Sequence, residues 1–277
     1  MPGELDRAYI LARRVLLDML EALAEHREAV ILVGAQAIYL HTGEGDLATG
    51  MYTSDGDLAI DPGLLGPVPL LEQALEYAGF SHTQASGTIG TWVGYGGVQI
   101  DLMVPAGVAP SGSGRRSASL GPHGNRAART ARGLEAALLD HRMELLSSLE
   151  PEDKRRLPIK VAGPSALLVA KLHKLADRRH NPLRQDDKDA LDIYRLLQAV
   201  PLGVFAAGIG ALRDESVSAE VTREALTHLS AIFGTIEADG CQMAARAVEL
   251  LDDPDTVAAS CAALTQDLLQ ALEQPKA

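Results

Sequence analysis

Three acidic side chains stand where they could bind a divalent cation. The stretch TSDGDLAI (53–60) places Asp55 and Asp57 two positions apart, directly before an apolar run. In a strand both side chains would leave the same face, and their repulsion would be relieved by water or by a cation. A third acid, Asp101, lies inside the apolar stretch VQIDLMV. If the two strands are neighbours, the three carboxylates converge on a site suited to Mg²⁺; otherwise Asp101 faces solvent at a strand edge.

A strand-to-helix junction precedes these acids. The stretch LVGAQAIYL carries Gly34 where an apolar strand gives way to a helix. A helix N-terminus offers free backbone N–H groups and a positive dipole end, which together suit a triphosphate. A plain tight turn would account for the same glycine. Two Mg²⁺ ions near this junction could activate an attacking hydroxyl and stabilise a leaving pyrophosphate.

A third candidate group lies on two predicted helices within KLHKLADRRHNPLRQDDKDALDIYRLL (171–197). At 100° per residue, Lys171, Lys174 and Arg178 fall together beside an apolar stripe. Asp189 falls inside the apolar arc of the next helix, and Asp192 falls just outside it. A buried acid requires a cationic partner, so we expect Lys171 or Arg178 to pair with Asp189. Lys174 is expected to be a solvated charge.

The basic charge is concentrated in residues 105–133, which are rich in Gly, Ser, Pro and Arg. We predict a long flexible loop there, because the stretch lacks periodicity until near its end. The loop is either a solvated linker or a segment that contacts phosphates. Its arginines are Arg115, Arg116, Arg126, Arg129 and Arg132.

The elements needed to position these groups predict an α+β fold, a mixed sheet with flanking helices followed by a helical C-terminal part. Apolar periodicity predicts a domain over 1–133 and a mainly helical one over 134–277. The predicted elements are a helix over 4–26, a strand over 29–34, a helix over 35–43, a glycine-containing loop over 44–51, a strand from Asp55, a helix over 67–80, two strands within 87–105 and, among the later helices, one strand over 156–163.

Composition narrows the class of protein. The chain has 277 residues and a formal net charge of −12, which argues against a uniformly basic nucleic-acid binder but leaves room for a local basic patch. Cys241 and Cys261 fit no zinc-ligand spacing, so we expect two buried thiols in a reducing compartment. The N-terminus has no continuous apolar segment, and no run approaches membrane length, which predicts a soluble cytoplasmic protein with no membrane partner.

The three motifs together resemble a known family. LVGAQAIYLHTG, TSDGDLAI and VQIDLMV resemble the nucleotidyltransferase superfamily of DNA polymerase β. With the helical stretch, the chain is similar to AbiEii/MenT-type nucleotidyltransferases, many of them toxins of toxin–antitoxin pairs. The resemblance covers roughly residues 29–200. It assigns metal binding to Asp55, Asp57 and Asp101, and nucleotide binding to Gly34, Ala35, Thr53, Ser54, Lys171 and Arg178. It assigns catalytic roles to the same three acids and to Lys171 and Asp189, and Asp192 matches the helical motif.

The resemblance implies a Mg²⁺-dependent transfer of a nucleoside monophosphate from an NTP to an acceptor hydroxyl. The implied acceptor is a tRNA 3′ end or a protein hydroxyl, with Thr53 or Ser54 as autologous targets, and the implied partner is a cognate antitoxin. One alternative is a small-molecule enzyme of the aminoglycoside type, which the acidic charge favours. Another is a non-catalytic relative acting as a binding protein, which Ala35 and Gly56 favour because they depart from the family pattern.

Overall fold

The computed structural model describes residues 6–43, 53–82, 89–110, 117–179, 187–249 and 251–273. Helices occupy the N-terminal end and almost everything after residue 163. Their bounds are α1 Arg7–Ala22, α2 Gly34–Thr42, α3 Leu71–Tyr77, α4 Pro164–Arg178, α5 Asp187–Ala199, α6 Leu202–Asp214, α7 Ala219–Phe233, α8 Asp239–Ala247 and α9 Pro254–Glu273.

Eight strands in these parts of the chain form one mixed sheet. It runs in the order β3-β4-β5-β2-β1-β8-β7, and β6 pairs with the end of β5. The β1/β8, β2/β5 and β5/β6 pairs are parallel, and the other pairs are antiparallel. The bounds are β1 Val30–Val33, β2 Gly56–Ile60, β3 Ser81–His82, β4 Thr91–Val93, β5 Gln99–Pro105, β6 Arg129–Ala131, β7 His141–Ser147 and β8 Arg156–Ala162.

The central strand β1 fixes where the core lies. All four of its residues are buried, as expected for a strand covered on both faces. Because β1 and β8 are parallel, their C-terminal ends meet at one edge of the sheet, and α2 and α4 both begin there. The antiparallel strand β2 begins at that same edge. Two helix N-termini and the start of the acidic strand are therefore brought together.

The start of α4 depends on a residue far away in the sequence. Asp140 accepts a hydrogen bond from the backbone N–H of Ala166 at 2.9 Å, in the first turn of the helix. Its carboxylate fills the space beside Gly163, where an added Cβ would lie 1.9 Å from Oδ1. The helix that carries Lys171 is therefore capped by the segment that precedes β7.

Most predicted elements are confirmed with shifted ends, and the α+β class is confirmed. The strand over 29–34, the helix closed by Gly43, the two strands within 87–105 and the strand over 156–163 are all present. The helix predicted over 67–80 is shorter, at Leu71–Tyr77. The loop predicted at 44–51 lies outside the described residues.

Two predictions about the middle of the chain are wrong. Strand β7 was expected to be helical, so the helical part begins at Pro164, after two strands that complete the sheet. Residues 117–133 are packed on the sheet instead of forming a flexible loop; they contain β6 and bury Ala118, Leu120, Ala127 and Ala128. Small apolar side chains fill this layer, and their spacing carries no helix or strand period.

Two predictions from the sequence concern membrane-spanning segments and the cysteines. Within the described ranges, no single helix is long and apolar enough to cross a bilayer. Helices α5 and α6 together have that length and apolar composition, but they meet at a bend of 112°. Cys241 and Cys261 are both free and buried, as expected.

Glu135 holds both ends of the arginine-rich segment. Its side chain is buried, and its carboxylate accepts backbone N–H groups from Gly107 and Gly133, each at 2.7 Å. The two glycines flank residues 108–132 and are thereby fixed at one point. An acid at this position replaces the strand pairing that these two backbone donors lack.

Glu135→Ala should lower the free energy of unfolding by about 2–4 kcal/mol, because two backbone donors lose their acceptor. Urea unfolding followed by circular dichroism measures this change. The matched control is Glu76→Ala on the exposed surface of α3, which should change stability by about 0.5 kcal/mol or less. An equally mild effect of both substitutions would contradict the role assigned to Glu135.

Candidate active site

The first part of the site is a row of acids on one face of the sheet. In the parallel β2/β5 pair, Asp57 lies directly beside Asp101, so the condition for the acids to meet is fulfilled. Directly paired residues project to the same face. Asp55 precedes β2 by one residue and is exposed, whereas Asp57 is half-buried. These three residues are called the acid face below.

Ionisation of the Asp57 carboxyl group costs free energy in the folded protein. Burial, with the neighbouring Asp55 carboxylate as the second cause, raises its pKa to about 6, and Asp101 adds to the rise. Lys174 and Lys171 oppose it, with Lys174 the stronger of the two. A carboxylate with a raised pKa beside another carboxylate is a site where a cation lowers the energy of the ionised form.

Gly34 lies directly against Asp57. Val33 is the strand partner of Asp57, and Gly34 follows it with a φ of +68°. A Cβ added at Gly34 would lie 2.1 Å from Oδ2 of Asp57, so a larger residue would displace the acid. Gly34 also begins α2, whose N-cap Val33 supplies no side-chain hydrogen bond. The uncapped end of α2 and the acid face are thus immediate neighbours.

Gln36, which the sequence did not single out, anchors the segment that carries Asp55. Its buried side-chain amide donates to the carbonyl oxygen of Asp55 at 3.0 Å. Its amide oxygen accepts from Nε of the buried Arg13 at 2.9 Å. The first turn of α2 therefore holds the start of the acidic strand, with α1 behind it. A glutamine two residues after the strand–helix glycine was the available signal.

The residues just before Asp55 differ in exposure. Thr53 is buried, and its hydroxyl donates to the Asp55 carboxylate. Ser54 is exposed and lines a cleft of about 380 Å³ together with Asp55. Ala35 is buried in the first turn of α2. The opposite walls of the cleft are formed by Ala8, Leu11, Gly96, Gly97, Val98 and Gln99.

Asp101 already has partners. The hydroxyl of Thr91 donates to Oδ1 at 2.6 Å, and Nη2 of Arg129 lies 2.8 Å from Oδ2. Sequence reasoning missed Thr91, because only the strand register brings it beside Asp101. It treated Arg129 as a loop residue, whereas Arg129 begins β6.

The other arginines of residues 105–133 differ in their surroundings. Arg132 is paired with two glutamates of α7, Glu220 and Glu224, each at 2.7 Å. Arg126 is exposed. Arg115 and Arg116 lie outside the described residues. Two of the three described arginines therefore meet carboxylates of the same chain.

The second part of the site is a buried network of ion pairs between α4 and α5. The ammonium of Lys171 lies 2.7 Å from Asp189 and 2.7 Å from Asp192, and all three side chains are almost completely buried. Lys171, one of the two cationic partners expected for Asp189, is therefore present, and Lys171 has a second acidic partner, Asp192, that was not expected. The attraction of these two aspartates raises the pKa of Lys171 despite its burial.

Three further cations complete this network. Lys174 bonds Oδ1 of Asp189 at 2.8 Å, Arg178 bonds Oδ2 of the same residue at 3.0 Å, and Arg195 lies 3.5 Å from Asp192. The expectation of a solvated Lys174 is wrong, because α5 brings an acid within its reach. We call these six residues the basic cluster: Lys171, Lys174, Arg178, Asp189, Asp192 and Arg195.

The site thus has two poles of opposite charge. The basic cluster has four cations against two carboxylates. The acid face has three carboxylates and one paired arginine, Arg129. The poles are close enough for Lys174 and Lys171 to stabilise the ionised form of Asp57. Such an arrangement is suited to a ligand that combines a divalent cation with an anionic chain.

The acid face supplies hard oxygen atoms, which are the donors that Mg²⁺ prefers in proteins. Asp55 and Asp57 supply hard oxygen atoms, and their mutual repulsion is what a divalent cation would remove. Asp101 shares its carboxylate with Thr91 and Arg129. Among the residues that the structure describes, no group of three or more His, Cys, Asp or Glu side chains is arranged to hold a metal ion.

Comparison with known proteins adds no relative. The chain matches no protein-family model, no curated protein and no solved structure.

Asp57→Asn should stabilise the metal-free protein at pH 7 by about 1–3 kcal/mol. The folded-state pKa of about 6 lies above the ordinary value of 3.8, so ionisation of Asp57 costs stability as the pH rises through that window. The advantage of the variant should therefore be largest above pH 6 and vanish near pH 4. Urea unfolding from pH 4 to 8 with a chelator measures it.

The control for that series is Asp267→Asn, an exposed aspartate of α9 that should show no such pH dependence. A gain for Asp57→Asn that stays constant from pH 4 to 8 would mean that its shape, and not its charge, opposes folding.

Lys171→Met should destabilise the protein by about 3–5 kcal/mol, because Asp189 and Asp192 lose a buried partner. Adding Asp192→Asn should recover part of this loss, since it removes the carboxylate left with only the more distant Arg195. The double variant Lys171→Met with Asp189→Leu should recover less, because Lys174 and Arg178 would lose their acceptor. Chemical denaturation of the variants tests this order, and equal stability of Lys171→Met and wild type would refute it.

Proposed function

We propose that this protein is a Mg²⁺-dependent nucleotidyltransferase with a nucleotidyltransferase-type sheet, which transfers a nucleoside monophosphate from an NTP to an acceptor hydroxyl. The observation that carries the proposal is the contact between Asp57 and Gly34. A metal bound by Asp57 and a phosphate bound at the uncapped start of α2 would be separated only by the side chain of Asp57. The basic cluster lies close enough to complete a phosphate site.

Metal binding, phosphate binding and positioning of Asp55 would fall to different residues of the site. Asp55 and Asp57 would hold Mg²⁺, which when bound supplies positive charge to the reacting phosphate and the leaving pyrophosphate. Backbone N–H groups at the start of α2 would bind phosphate oxygens. Gln36 and Thr53 would hold Asp55 in place, and Asp101 would lie ready as a base or a further metal ligand.

The reaction joins the acceptor oxygen to the α-phosphorus of the NTP. The bond from the α-phosphorus to the oxygen of the pyrophosphate breaks as the new bond forms. The proton of the acceptor hydroxyl passes to a carboxylate of the acid face. Asp55 and Asp101 have different hydrogen-bond partners, so one acid could accept the proton while the others hold metal.

The acceptor in this proposal is the 3′ end of a tRNA, and the setting is a cytoplasmic toxin with a cognate antitoxin. The cleft beside Asp55 is open next to the acid face and, at about 380 Å³, is large enough for one nucleoside. Arg126 is an exposed cation for RNA phosphates. Thr53 is a poor target for self-modification because it is buried, whereas Ser54 is exposed in the cleft.

Incubation of the wild-type protein with each labelled NTP and Mg²⁺ should label total tRNA, and Asp57→Asn or Asp55→Asn should abolish the label. Both variants should remain folded, because removing one of two repelling carboxylates does not disrupt packing. Gel electrophoresis and mass analysis of the tRNA measure the product. Lys154→Met, on the exposed turn between β7 and β8, is the control that should retain activity.

Parallel incubations separate the acceptors. Label on an aminoglycoside but not on tRNA would assign the small-molecule reaction, and label on the protein itself would assign self-modification. Full labelling of tRNA by Asp57→Asn would contradict the metal site. No label on any acceptor, together with no Mg²⁺-dependent NTP binding, would leave a non-catalytic binding protein.

A further inference from the structure

We infer that Lys174, and not Lys171, is the residue of the basic cluster that binds the phosphate chain of the nucleotide, while Lys171 is a positioning residue. This inference rests on the proposed nucleotidyl transfer. It also differs from the sequence-based expectation, in which Lys171 reaches the phosphates and Lys174 is a solvated charge.

Lys171 is poorly placed to bind a ligand. Its side chain is 6% exposed, and its ammonium is held at 2.7 Å by each of two aspartates. Turning toward a phosphate would take from Asp192, which is 0% exposed, its partner at 2.7 Å and leave it with the more distant Arg195 at 3.5 Å. The cost of a buried charge that loses its partner opposes this movement. Lys171 therefore fixes α5 against α4 by pairing with both aspartates.

Lys174 can leave its partner without that penalty. Its side chain is 39% exposed, and the oxygen it bonds on Asp189 is also bonded by Lys171. Arg178 holds the other oxygen of Asp189. If Lys174 moves, Asp189 still has two cations. The lysine has a long flexible stem and a compact ammonium, which suits a point contact to phosphate.

Lys174 lies on α4, which begins at the same edge of the sheet as α2 and the acidic strand β2. Phosphates that extend from a metal on Asp55 and Asp57 past the start of α2 would lead toward this helix. The surplus positive charge of the basic cluster would then be neutralised by the polyphosphate, which is the part of the substrate common to all four NTPs.

Binding without turnover tests the inference. Titration calorimetry with a non-hydrolysable NTP analogue and Mg²⁺, repeated with inorganic tripolyphosphate, measures the affinity of each variant. Lys174→Met should weaken both ligands by about tenfold or more, which is the loss of one charge-assisted hydrogen bond. Lys174→Arg should retain most of the affinity. The urea midpoints of Lys174→Arg and Lys174→Met should stay close to wild type, so a loss of affinity in Lys174→Met would not come from a loss of folded protein.

Lys171→Met and Lys154→Met complete the comparison. Lys171→Met should lower the urea midpoint, and Lys154→Met should change neither the midpoint nor the affinity. Wild-type affinity in Lys174→Met would overturn the inference and leave the proposed function standing. Failure of wild type to bind any of the four NTP analogues would overturn both. If Lys174→Met loses affinity and its urea midpoint also falls, and Lys174→Arg recovers neither, then Lys174 has a structural role and does not bind phosphate.

Discussion

A lysine buried between two aspartates is the interaction on which the rest of the site depends. Lys171 on α4 pairs with Asp189 and Asp192 on α5, and these two carboxylates offset the cost of burying its charge. Arg195 extends the network to α2, where its guanidinium lies 5.7 Å from the ring of Tyr39. The helix that begins at Gly34 is thereby connected to the two helices that carry the cations. An apolar contact could hold these helices together, but it would not fix the positions of charges.

The sheet poses the opposite electrostatic problem, because it gathers charges of one sign. Asp55, Asp57 and Asp101 are brought together by strand register, which the burial of the apolar residues on β2 and β5 determines. The repulsion is reflected in the raised pKa of Asp57. Hydrogen bonds from Thr53 and Gln36 and the ion pair with Arg129 hold the acids in place. A face that is kept charged at a cost in stability is typical of a site used for binding.

The sequence pattern predicted the elements that depend only on residues close together in the chain. The strand of β1, the glycine start of α2, the strand β8 and the helix of Lys171 follow from apolar runs, caps and periodicity. Strand β7 did not, because it is an edge strand whose Met143 and Leu145 are more than half exposed, so no buried face marks it. The partners of Asp101 and the second partner of Lys171 also could not be predicted, since they depend on strand register and helix rotation. Lys174 was misjudged for the same reason: spacing gives the face of a helix but not the acid that packs against it.

Arg129 explains how three acids can share one face. If Asp101 carried an uncompensated charge, it would add fully to the burial and the Asp55 repulsion that already raise the pKa of Asp57 to about 6. A metal would then have to overcome more repulsion among the three acids. Arg129 lies 2.8 Å from Asp101 and offsets part of that charge. The arginine-rich segment therefore contributes to the acid face through its own strand, β6, whatever its exposed arginines bind.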